Sequence, residues 1–133
     1  MPQTARETVA RFIPAAATLA DRGDLADFYA EDAVVEIVFR PPGVPARTEG
    51  REVLRARFAA STAVLAFDRV GSVVIHQTDD PEVVVAEYDL HGHVVATGKE
   101  FVFGYVMVVR VRDGLIVHSR DYGNPLAAKE ALG

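Results

Sequence analysis

Residues 99–133, KEFVFGYVMVVRVRDGLIVHSRDYGNPLAAKEALG, decide how this chain folds. Lys99 to Arg112 is dense in β-branched and aromatic residues and reads as one long strand. Asp113-Gly114 is a turn signal that returns it as a second strand, Leu115 to Tyr122. Gly123-Asn124-Pro125 then stops the hairpin. Asn124 as cap and Pro125 at the first helical position open a last helix over 125–132. Within the hairpin, Asp121 falls late in a core strand, where an acid costs stability unless its carboxyl is satisfied. It is the leading candidate for chemistry.

The hairpin register sets what surrounds that acid. A two-residue turn at Asp113-Gly114 pairs Asp121 with Val106; a three-residue loop, Arg112-Asp113-Gly114 with Gly114 left-handed, pairs it with Tyr105. The second gathers Arg110, His118 and Arg120 on one face and sets Tyr122 across from Gly104, where a ring covers bare backbone. It also puts Phe101, Phe103, Tyr105, Met107, Val109, Val117, Ser119 and Asp121 together on the other face. A one-residue slip scatters these charges among apolar positions, so the three-residue loop is favoured.

Working outward, Thr4 to Asp21 reads as a helix. Thr4 and Glu7 form a capping box, and Val9, Phe12, Ile13, Ala16, Leu19 and Ala20 make one apolar stripe, with Pro14 kinking the helix. Gly23 suits its end, and Asp24 caps a second short helix near 24–30. Ala33 to Phe39 is a strand, Pro41-Pro-Gly and Pro45 force a loop to about Gly50, and Arg51 to Ala66 is helical with Val53, Leu54, Phe58 and Leu65 as core positions. Val70 to Thr78 and Glu82 to His91 are strands joined through Asp79-Asp80-Pro81. Helices, one strand, a helix and a β-meander make an α+β domain spanning 1–133: a curved antiparallel sheet with helices packed on its concave face.

Composition narrows the function. The chain has 133 residues, half of them hydrophobic and a quarter charged, which suits one globular domain. It has no cysteine, which excludes disulfides, thiolate metal sites and cysteine nucleophiles and fits a cytoplasmic protein. A net charge of −5, with its 14 Lys and Arg scattered, argues against a nucleic-acid partner. No apolar run reaches the ~18 residues of a membrane span, and no basic-then-apolar leader opens the chain.

Several motifs carry a resemblance: Tyr29-Ala-Glu-Asp-Ala-Val, the Pro41-Pro-Gly loop with Glu49-Gly-Arg-Glu52, Thr78-Asp-Asp-Pro, Glu87-Tyr-Asp-Leu-His-Gly-His93, and Ser119-Arg-Asp-Tyr-Gly-Asn-Pro-Leu126. In this order, over about residues 20–133, the chain resembles the NTF2-like, or SnoaL-like, superfamily. It is most similar there to polyketide cyclase-like and phenazine biosynthesis A/B-like proteins. The resemblance implies a cone-shaped fold that hosts isomerases, cyclases, hydrolases and non-enzymes. In its cyclases and in limonene epoxide hydrolase a carboxylate on the last strand faces the pocket and moves protons; Asp121 matches that position. The ketosteroid isomerase base falls near Ile37, and its oxyanion-hole tyrosine and acid near Ala16 and Met107. The arginine and second aspartate of the epoxide hydrolase fall near Tyr88 and Leu90, and its water-holding pair near Val35 and Ile37. Neither of those two reactions is therefore expected.

What remains is an apolar pocket with one acid. The expected ligand-binding residues are Phe101, Phe103, Tyr105, Met107, Tyr88, Ser119, Val35 and Ile37, with Asp121 as the acid–base group. His91 and His93 share one side of a strand, but without a convincing third ligand no metal site is assigned. The reading is proton transfer coupled to cyclisation, isomerisation or condensation of a hydrophobic cyclic or carbonyl-bearing metabolite, with no metal or organic cofactor. The alternative is a non-catalytic ligand-binding or dimerisation domain of the same fold. A homodimer is expected through the outer sheet face, with His118, Arg120 and Tyr122 opposite Val108, Val106 and Gly104 and with Glu87 and Asp89 supplying complementary charge.

Overall fold

A computed structural model describes residues 2–19 and 21–133. Six strands form one sheet in the order β2-β1-β6-β5-β4-β3, and the helices pack against it. The first helix, α1 (Ala5–Thr18), is held at its start by the expected capping box: Glu7 N–H donates to Thr4 Oγ1 at 3.1 Å, and Thr4 N–H donates to Glu7 Oε1 at 3.0 Å. Val9, Phe12, Ile13 and Ala16 are buried on one stripe against the sheet. Ala20, assigned to the same stripe, lies outside the described residues.

The second short helix is a 3-10 turn over Arg22–Phe28, capped by Asp21 rather than Asp24. The Asp21 carboxylate accepts from Gly23 N–H at 2.8 Å, so Gly23 sits inside the turn instead of ending α1. Tyr29 and Ala30 already belong to β1 (Tyr29–Ile37). The Pro/Gly loop hides a three-residue strand, β2 (Arg47–Glu49), which pairs antiparallel with Val34–Glu36. Helix α2 (Arg51–Ser61) is shorter than expected, and Leu65 and Ala66 open β3 (Leu65–Gln77) because Val94 and His93 pair with them. Leu54 is buried as expected, but Val53, turned about 100° from it around the helix, is 51% exposed.

β4 (Val83–Val94), β5 (Glu100–Arg112) and β6 (Leu115–Gly123) complete the meander, and α3 (Pro125–Leu132) closes the chain with Asn124 as its cap. Four of the five strand pairings are antiparallel. The β1–β6 pairing is parallel, bringing Ile37 beside Asp121 and Val35 beside Ser119. Gly92 pairs with both Phe67 and Phe101, and a Cβ there would strike the Ala66 carbonyl oxygen and lie 2.7 Å from the Phe101 ring. Gly92→Ala is expected to cost about 2 kcal/mol in urea unfolding, the scale of an overpacked core site. An alanine variant as stable as the parent contradicts this packing.

The β5–β6 register corrects the hairpin reading. Asp113 (φ 54°) and Gly114 (φ 77°) form a two-residue turn, since both central residues take the left-handed conformation that such a turn requires. Arg112 and Val111 then pair with Leu115 and Ile116, but Arg110 pairs with His118, leaving Val117 as an unpaired bulge. That extra residue moves Asp121 opposite Met107, neither Val106 nor Tyr105. It also buries Ile116 in place of Val117, sets Arg120 opposite Val108, and sets Tyr122 opposite Val106 rather than Gly104. The covered glycine is Gly123: its partner Tyr105 lays its ring where a Cβ would come within 3.0 Å.

Candidate active site

Cross-strand rows build the site. The row Val35–Ser119–Val109–Val84 is sealed in the core, each residue at most 5% exposed. The next row, Ile37–Asp121–Met107–Ala86, reaches the rim of a cavity, and the rows beyond it, Gly123–Tyr105–Tyr88 and Phe103–Leu90, form its wall. From the helical side Phe12, Ala16 and Leu25 cover it, and Tyr29 and Phe58 close one flank. The exposed ring of Phe39, with Asn124 and Pro125, stands at the outer end. The cavity is open at this end and has a volume of about 240 Å³, just below the usual range of small-molecule pockets.

Asp121, Tyr105, Phe103, Met107, Tyr88 and Ile37 therefore meet around one cavity. Three residues assigned to its lining do not. Val35 and Ser119 lie one row deeper, buried in the core at 5% and 0% exposure. Phe101 is one row too far along β5 and backs the wall: it stacks on Phe103 with centroids 4.0 Å apart and meets Phe67 edge-on.

Ser119 still matters, because its hydroxyl donates to Asp121 Oδ1 at 2.5 Å and fixes the carboxyl. Asp121 keeps some accessible surface, and that surface belongs to the cavity wall rather than to the outside of the sheet. Desolvation pushes its pKa from 3.8 up to about 6, against the smaller opposing effects of the Ser119 hydrogen bond and of His118. Such a carboxyl holds and releases a proton near neutrality. Burial, followed by the nearby Asp121 charge, raises Tyr29 and Tyr88 well above their usual value and Tyr105 to about 12. All three phenols thus remain donors. Tyr88 stacks on Tyr105 at 5.6 Å, and among the described residues its hydroxyl has only the weak acceptor Met107 Sδ at 3.2 Å.

Arg22 also lines the cavity, which the sequence reading missed. Flanked by Asp21 and Asp24 in a polar turn, it looks like a solvated charge, and only the fold brings its guanidinium 4.2 Å over the Phe67 ring. Among the described residues no group of three His, Cys, Asp or Glu could hold a metal ion; His93 instead contacts Asp68 at 3.2 Å. His118 is on the other sheet face, 2.6 Å from Glu36.

Comparison with known proteins agrees with this architecture. The SnoaL-like domain family matches residues 9–119, so Asp121 stands just beyond the matched stretch. The YesE protein of Bacillus subtilis is 34% identical over 107 residues, covering 80% of this chain and 73% of its own. A PhzA/B-like protein of Pseudomonas aeruginosa is 35% identical over the same length, covering 80% and 75%. Among solved structures, a candidate isomerase from Bacillus subtilis superposes with a TM-score of 0.89 at 32% identity, over 97% of this chain and 92% of that one. A candidate polyketide cyclase from Pseudomonas putida superposes at 0.80 with 20% identity, over 97% and 98%, a likeness of fold alone.

Proposed function

The chain belongs to the SnoaL-like domain family, and we propose that it is an isomerase- or cyclase-type enzyme acting on a small hydrophobic carbonyl compound. The observation that carries this reading is the Asp121 carboxyl on an aromatic cavity wall with its pKa raised to about 6. At neutral pH the carboxylate takes a proton from the carbon next to the substrate carbonyl. The C–H electrons move into a C–C double bond and the carbonyl electrons onto oxygen, where a phenol from Tyr88 or Tyr105 donates a hydrogen bond. Asp121, now protonated, returns the proton to a different carbon in an isomerisation. In a ring closure the nucleophilic carbon attacks a second carbonyl instead, and the proton goes to the new alkoxide. The B. subtilis relative described as a candidate isomerase supports the reaction class.

The test is deuterium wash-in: small cyclic ketones and keto acids in heavy water, followed by NMR with and without the protein. Wash-in faster than the buffer rate is expected, and it should require Asp121. Binding without exchange for every ketone favours a ligand-binding domain.

The homodimer through the outer sheet face belongs to the same proposal. Val102 is 51% exposed there, beside the half-buried Val106, Val108 and Tyr122 and the His118–Glu36 pair. An apolar sheet face rimmed by charge suits a second copy. Sedimentation at tens of micromolar, roughly where weak dimers still associate, should show a dimer. A monomer at that concentration contradicts it.

A further inference from the structure

Arg22 is at odds with its surroundings. Arg6, Arg11 and Arg40 are exposed and bind carbonyl or amide oxygens, and several other guanidiniums rest against carboxylates: Arg47 on Glu49, Arg55 on Asp27, Arg110 and Arg112 on Glu82. Among the described residues Arg22 has no such partner. Its Nη1 donates to the Ala16 carbonyl and its guanidinium lies over Phe67, while Nε is buried with no acceptor among the described residues. Burial is the largest influence on its pKa, and the ionisable groups near enough to act on it are the three cavity tyrosines, neutral at physiological pH, rather than an acid. Burial lowers its pKa, yet a guanidinium starting from 12.5 stays charged at neutral pH. A desolvated cation with an idle donor is costly, and a ligand that supplies the missing acceptor recovers that cost on binding.

Two charged side chains of the cavity lining come from different layers. Arg22 rides on the 3-10 turn among the helices, Asp121 on the sheet, and Arg22 is not among the groups that act on the Asp121 carboxyl. The three tyrosines line the same cavity and are near enough to feel both, Asp121 raising and Arg22 lowering their pKa. One cation facing one acid that is itself anionic above about pH 6 suits a single negative charge and disfavours a dianion such as a phosphate monoester. The flat faces of Phe103, Tyr88 and Tyr105 suit a ring.

We propose that Arg22 anchors the ligand: the cavity takes a small ring-bearing carboxylic acid whose carboxylate pairs with the Arg22 guanidinium, with the rest of the ring held toward Asp121. The anchor stands without catalysis. Only the placement of a reacting carbonyl at the Asp121 end rests on the proton-transfer reading above.

Benzoate and its neutral isostere benzamide test it by calorimetry on the full chain. Benzoate should bind at least about tenfold more tightly than benzamide, the scale of a charge-assisted hydrogen bond. Arg22→Gln should erase that preference, Arg22→Lys should retain part of it, and Asp121→Asn should keep it. Melting curves show whether each variant is folded. If Arg22→Gln is not, the Arg22 Nε–H resonance of the unaltered protein decides: benzoate should shift it and benzamide should not. Equal affinity for the two probes, a preference that survives Arg22→Gln, or an unmoved Nε–H signal overturns the anchor. So does a lack of benzoate binding up to about 10 mM. A preference that depends on Arg22, with proton exchange indifferent to Asp121, keeps the anchor and removes the proton-transfer reading.

Discussion

Asp121→Asn is expected to slow proton exchange and turnover by about 10²–10⁴, the usual worth of a positioned acid or base. The amide keeps the shape of the carboxyl, and its carbonyl oxygen still accepts the Ser119 hydroxyl. It neither takes nor gives a proton at neutral pH. The loss should fall on kcat with KM little changed, because the interaction removed is made only as the proton moves. Full activity per folded molecule would leave Asp121 a structural residue and the cavity a binding site.

The same substitution should stabilise the protein above neutral pH. Desolvation raises the folded-state pKa of Asp121 to about 6 from 3.8, so between those values the folded protein holds a proton that the unfolded chain has released. Stability therefore falls as pH rises through this window, and the full penalty is present above about pH 7. The gap between 3.8 and about 6 corresponds to roughly 3 kcal/mol. Asparagine carries no such penalty. Urea unfolding should show the variant more stable by up to about 3 kcal/mol near pH 8, with the difference shrinking through about pH 6 and gone below about pH 4. A difference that does not vary with pH contradicts the burial of the charge. An acid kept where an amide is more stable is what selection for chemistry, rather than for folding, leaves behind.

The parts of the fold that are legible in sequence are those with local causes. Thr4 with Glu7, and Asn124 with Pro125, place two helix starts to the residue, and β-branched density marks the meander strands. What escapes is set by distant partners. Arg47–Glu49 is a strand only because Val34–Glu36 lies alongside it, and Leu65 leaves the helix because Val94 claims it. Asp21 and Asp24 are equally good caps by type, and the end of α1 at Thr18 decides between them.

The site divides in the same way. The expected three-residue loop and the observed bulge differ by two residues in register, so both put Asp121 on the face of Met107, Phe103 and Tyr105, whereas an unbulged two-residue turn would put it on the other. The acid on an aromatic wall is readable only because the slip is even. The Val117 bulge is not, because no residue type announces one extra residue in a strand. Depth is not readable either. Val35 and Ser119 share the face of Ile37 and Asp121 but sit one row further in, and only the three-dimensional packing separates core from cavity. Arg22 was hidden by its acidic neighbours in sequence, which the fold leaves behind.

The measurement that bears most directly on Asp121 as the proton carrier is the pH dependence of deuterium wash-in, compared between the unaltered protein and Asp121→Asn. The rate in the unaltered protein should rise with pH through an inflection near 6, as the carboxylate forms, and then level off. The variant should stay at the buffer rate with no such inflection. Matching profiles from the two proteins, or an inflection near 6 that persists in the variant, would contradict the assignment.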